Sequence, residues 1–141
     1  MHALLALIDL GSTTDALKAT AAVQGRIVGA TDEEIDAAVA TVSRALAHPI
    51  LRRAAAAAGK GGLRREAPVL LRTDHGSLVE GVVDLAFREE VSDFAGWTVV
   101  DFKTDRELEG STDRYLGQVR LYSMAVSEAT KLPARGVLLV V

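Results

Sequence analysis

With 141 residues, 49% of them apolar, the chain can form one soluble globular domain with a core of ordinary size. A formal charge of −3, from 16 basic and 19 acidic residues, excludes a protein that coats nucleic acid by bulk electrostatics alone. The absence of cysteine excludes a disulfide framework and a thiolate zinc site, and it leans toward an intracellular, cytoplasmic setting. Chemistry is left to carboxylates, histidines, lysines and hydroxyls. At the N-terminus, "MHALLALIDLG" is apolar over only about nine residues, contains Asp9 and has no basic flank. It is too short for a membrane span and unlike a signal peptide. Its helical register begins at the first residue, which predicts a helix with earlier turns outside this sequence and a chain that is a piece of a longer protein.

Residues 13–24 predict a weakly signalled helix. Thr31 and Glu34 in "TDEE" form a capping box, and Ile35, Ala38, Val39, Val42, Ala45 and Leu46 follow at helical spacing, predicting a helix over 32–46. Pro49 suits the first turn of the next helix, "HPILRRAAAAA", which "GKGG" at 59–62 stops. The region "LRRAAAAAGKGGLRRE" carries Arg52, Arg53, Lys60, Arg64 and Arg65, either a phosphate-binding cluster or a solvated helix end and loop. Gly59 and Lys60 do not make a nucleotide-binding P-loop, since neither the earlier glycine nor the hydroxyl after the lysine is present.

After residue 62 the pattern becomes that of strands. "REAPVLLR", the turn signal "TDHGS", "LVEGVVDLAF", a polar stretch and "WTVVDFK" predict three consecutive antiparallel strands. In the next segment Tyr115, Val119, Tyr122, Val126 and Ala129 recur at helical spacing behind Ser111 or Thr112 as cap. Pro133 ends that helix, and "RGVLLVV" predicts a strand returning parallel to the meander. The fold class is therefore α+β or α/β: N-terminal helices, a three-stranded antiparallel meander, a helix, and a parallel strand.

Alternation puts Asp101 and Lys103 on one strand face with Val99, and puts Asp84 with Val82 and Ala86 on the strand before. If these strands pair, Asp84 and Asp101 converge, and two converging carboxylates call for a cation between them or a proton on one of them. Hard oxygen donors on a rigid sheet suit magnesium or manganese. Lys103 beside such an ion can position a water and offset charge during attack on a phosphodiester. The bland alternative is a structural ion pair of Asp84 with Lys103 at the end of a sheet.

An acidic residue, a gap of 17 positions and then Asp-x-Lys at the end of the next strand resembles the PD-(D/E)XK nuclease superfamily. "GVVDLAF", "VVDFKTDR" and "YLGQVRLYSMAV" together resemble the C-terminal nuclease domain of bacterial RecB and AddA type helicase-nucleases. The resemblance covers residues 64–141 well and His2–Leu10 moderately. It implies a restriction-endonuclease-like core and one metal-dependent DNA exonuclease domain over residues 1–141. It also implies Mg²⁺ or Mn²⁺ held by His2, Asp84, Asp101 and the Phe102 carbonyl, with Asp84, Asp101 and Lys103 as the catalytic set. Gln118 and Tyr122, four apart on one helix face, would contact DNA. The implied partners are single-stranded DNA, a superfamily 1 helicase motor on the same polypeptide and a second nuclease subunit, working in double-strand break repair and recombination away from any membrane.

The chain departs from the pattern in places. Val83 stands where the superfamily name has proline, and Phe102 replaces the commoner tyrosine. The glycine that would precede the histidine motif falls before the first residue. Glu66 resembles a glutamate of the first strand, and either supports the site or pairs with Arg64 or Arg65. His48 and His75 are expected at the surface. Two other readings remain open: an inactive nuclease-fold module that binds DNA or docks a protein, and an α+β interaction domain whose charges are structural.

Overall fold

The computed structural model describes residues 1–141, which cluster into two compact units, Met1–Ala56 with Val141, and Ala57–Val140. The first unit is helical: α1 (His2–Leu7), α2 (Thr14–Val28), α3 (Asp32–Ala47) and most of α4 (Pro49–Ala58). The predicted capping box starts α3, with the Thr31 N–H donating to Glu34 Oε2 at 2.8 Å and the Glu34 N–H donating to Thr31 Oγ1 at 3.3 Å. Two of the four orphan amides at the helix start are satisfied in this way.

Helix α2 runs past its predicted end at residue 24. Gly25 does not stop it, because Gly25 is where Ile35 of α3 lies so close that any Cβ would collide with the isoleucine side chain. The helix ends at Gly29, with φ at 71° in the left-handed region that favours glycine. His48 closes α3, and its Nδ1 accepts the Ile50 N–H at 3.2 Å, tying the end of α3 to the start of α4. His75 lies exposed in the turn between the first two strands, as expected.

The second unit is a four-stranded sheet in the order β1 (Leu63–Arg72), β2 (Leu78–Val91), β3 (Phe94–Lys103), β4 (Ala134–Val140). The first three strands are antiparallel, and β4 is parallel to β3 after the crossover through α6 (Thr112–Thr130), as predicted. Val83, Ala86 and Val99 of the sheet meet Val119, Tyr122 and Val126 of α6 in a buried cluster. Gly136 of β4 lets α6 approach, since a Cβ there would lie 2.8 Å from Ser123 Oγ and 3.1 Å from Val119.

Strands β2 and β3 extend beyond the sequence prediction, through the polar stretch, to a two-residue turn between Val91 and Phe94. Long-range partners make this possible. Glu89 is buried, yet its Oε1 accepts from Thr98 Oγ1 at 2.6 Å and from the Arg135 guanidinium at 2.7 Å. Arg135 also lies over the Phe94 ring, 4.2 Å from its centroid. A buried carboxylate held by two neighbouring strands tolerates a position that an unpaired one would not.

Candidate active site at the end of the sheet

Gly136 faces α6, and Val99 stands opposite it in the parallel ladder, so Val99 faces α6 as well. Alternation carries Asp101 and Lys103 onto the same face. Both are buried, with 4% and 8% of their surface exposed. Their charges meet directly, Lys103 Nζ lying 2.5 Å from Asp101 Oδ2. The same ammonium donates to the Phe102 carbonyl at 3.1 Å and lies 4.7 Å from the centroid of the Tyr115 ring. Lys103 therefore pairs with Asp101, its neighbour on the strand, and not with Asp84 as the bland alternative had it.

Asp84 reaches the site through an irregularity in β2. Ala86, opposite Val99, faces α6, but so does Gly81, which lies directly beneath the Tyr122 ring. The face that β2 turns toward α6 thus changes from odd to even positions across Asp84. Val82 is accordingly 48% exposed, and the expectation that Asp84 shares a face with both Val82 and Ala86 holds only for Ala86. The rung at Asp84 is missing from the β1–β2 ladder, and Glu66, which would complete it, has φ at 44°. A non-glycine residue at such an angle is uncommon and marks a local break in the strand. Released from regular pairing, Asp84 directs Oδ2 to the Phe102 N–H at 2.8 Å.

Carrying each register one step past its last paired rung sets Glu66, Asp84 and Asp101 in one row across three strands, and Leu138 continues the row on β4. Glu66 is exposed, and Arg64 turns its guanidinium to the carbonyls of Gly61 and Leu63. On α6, Gln118 Nε2 donates to the Tyr122 hydroxyl at 2.7 Å, so the two predicted residues are one hydrogen-bonded pair. A cavity of about 650 Å³ beside them is lined by residues including Val79, Arg114, Arg120 and Leu121. His2, at the start of α1, is exposed and belongs to the helical unit.

The donor set suits a hard cation in kind: two carboxylates and a backbone carbonyl, all oxygen, at one end of a rigid sheet. No three side chains among histidine, cysteine, aspartate and glutamate are gathered into an ion-holding group. The carboxylates present fit a divalent ion completed by further ligands, and they do not form a cage by themselves.

Sequence reasoning missed two neighbours of the site. Tyr115 reads as the first residue of the apolar stripe of α6, yet its ring meets Lys103 and, at 5.4 Å, Arg114. The short helix α5 (Asp105–Leu108) begins immediately after Lys103. Its signal was present in "TDRE", a second capping box in which Glu107 Oε2 accepts the Thr104 N–H at 2.7 Å. That cap fixes the backbone as it leaves the lysine.

The family model of the PD-(D/E)XK nuclease superfamily matches residues 1–141, and the chain belongs to that superfamily. The chain is also 37% identical over 68 residues, 42% of its length, to an ATP-dependent helicase/nuclease of the AddA type from Heliobacterium modesticaldum. That match spans 5% of the relative. Together they support a nuclease of the RecB/AddA type, the resemblance expected from "GVVDLAF" and "VVDFKTDR".

Proposed function

We propose that the chain is a metal-dependent DNA exonuclease domain that hydrolyses phosphodiester bonds, with residues 1–141 acting as one domain. The observation that carries this reading is the convergence of Asp84, Asp101 and Lys103 at the end of β3. Asp84 is bonded to the Phe102 N–H, and Lys103 lies between the Asp101 carboxylate and the Phe102 carbonyl. Asp84, Asp101, the Phe102 carbonyl and His2 would hold Mg²⁺ or Mn²⁺. Bound there, the ion would supply counter-charge for the phosphate and lower the pKa of water. Lys103 orients the attacking water and offsets the negative charge that develops on the phosphate oxygens. Gln118 and Tyr122 line the DNA path, and Glu66 supports the row of carboxylates from β1.

The relative's name supports a wider setting: a polypeptide that also carries a superfamily 1 helicase motor, acts in the cytoplasm on double-strand breaks, and delivers single-stranded DNA to this site. A second nuclease subunit completes that setting. No helix is long and apolar enough to cross a membrane.

One observation favours the inactive binding module instead: Asp101 and Asp84 are already engaged by Lys103 and the Phe102 N–H, contacts that a purely structural sheet end would also use. The experiment that separates the two follows end-labelled linear single-stranded DNA with Mn²⁺, Mg²⁺ or EDTA, using the wild type and Asp101→Ala. The nuclease reading expects metal-dependent loss of end label that disappears in the variant. Binding without cleavage in every metal supports the module.

A further inference from the structure

We infer that Tyr115 is a positioning residue for Lys103, holding the ammonium in place when a divalent ion occupies the carboxylates. The inference rests on the nuclease reading and extends it to a residue outside the expected motif. Lys103 has three partners: the Asp101 carboxylate at 2.5 Å, the Phe102 carbonyl at 3.1 Å, and the Tyr115 ring with its centroid at 4.7 Å. Two of these are the oxygens assigned to the ion. A divalent cation draws on their lone pairs and repels the ammonium, so both contacts weaken when it binds. The ring alone has no metal-ligand role. Its negative face attracts a cation within about 6 Å, more strongly where water is excluded, and the Lys103 side chain is only 10% exposed.

Tyr115 is also poorly explained as a core residue. It leads the stripe that continues through Val119, Tyr122 and Val126, but only those three join the buried cluster, and Tyr115 itself is half-buried. Its ring contacts are two cations, Lys103 and Arg114. Standing on α6 and not on β3, it fixes the lysine from a second element, so the ammonium position does not depend on the strand end alone.

The test compares the 141-residue chain with Tyr115→Phe, which keeps the ring, and Tyr115→Leu, which keeps apolar bulk without it. In NMR spectra, ring current shifts the Lys103 Hε signals upfield in the wild type and in Tyr115→Phe. Saturating Mg²⁺ leaves that shift in place, whereas Tyr115→Leu lacks it. In single-turnover cleavage Tyr115→Leu lowers kcat about tenfold with KM unchanged, and Tyr115→Phe retains the wild-type rate. Thermal melting confirms that all three are folded. Loss of the upfield shift on adding Mg²⁺ to the wild type, or full kcat in Tyr115→Leu, overturns the inference. A wild type that shows no Mg²⁺ response and no cleavage defeats the nuclease reading itself, an outcome distinct from Mg²⁺ binding that releases Lys103 from the ring.

Discussion

Asp101 and Lys103 are a buried ion pair, and each is held by more than the other. Removing one partner of a buried pair leaves an uncompensated charge, which typically destabilises by about 3–5 kcal/mol. Lys103→Ala should therefore melt well below the wild type in EDTA. If the carboxylates are the ion site, Mn²⁺ should raise the melting temperature more in that variant than in the wild type, because the ion no longer competes with the ammonium. An equal response in the two proteins would separate Asp101 from metal binding. Gly81 is a second decisive residue, lying where any Cβ would meet the Tyr122 ring and hydroxyl. Gly81→Ala should destabilise by about 1–3 kcal/mol through overpacking and disturb the Gln118–Tyr122 bond, seen as a lower denaturation midpoint. Alternation alone made the Asp101–Lys103 pair legible in the sequence. The left-handed Glu66 was not legible, since nothing in "RREAPV" calls for positive φ, and the face change at Asp84 follows from that break.

Among the elements, α3 offers a clean pH dependence. The Glu34 carboxyl is held below its usual value of 4.5, chiefly by accepting the Thr31 N–H and secondly the Thr31 hydroxyl, against a small opposing effect of desolvation. Since the folded value is the lower one, the stabilisation is complete above the ordinary glutamate range and is lost as pH falls through the lowered value. Amide protection in the first turn of α3 should decline between pH 5 and 3, in the range set by an ordinary glutamate pKa of about 4.3. Glu34→Gln, which keeps the cap without the titration, should remove that decline; a variant that follows the wild type would contradict the assignment. Both capping boxes were written in the sequence as Thr-x-x-Glu. The extension of β2 and β3 was hidden because "REEVSD" looks polar, and the partners that admit Glu89, Thr98 and Arg135, are 9 and 46 residues away.

On the scale of the whole molecule, the chain forms two compact units while the family match runs through both. This supports one nuclease domain with His2 among its ligands. Coupling of metal to stability is the corresponding prediction: Mn²⁺ at about 100 times its Kd should add about 2.7 kcal/mol to the folded state, and Asp101→Ala should abolish that gain. His2→Ala should weaken the Mn²⁺ response without lowering the melting temperature in EDTA, because His2 is exposed. The order of helices, meander and parallel return was readable from periodicity, as was the convergence of Asp84 with Asp101. The Lys103–Tyr115 contact was not, because helical spacing assigns Tyr115 to the core and only the path of α6 over β3 brings its ring to the lysine. The most direct measurement of the central claim is Mn²⁺-dependent cleavage of labelled linear single-stranded DNA by the wild type and by Lys103→Ala, each verified as folded in the same buffer. The account predicts cleavage by the wild type that EDTA abolishes and that the variant loses by orders of magnitude; equal cleavage by both proteins, or none by a metal-loaded wild type, would contradict it.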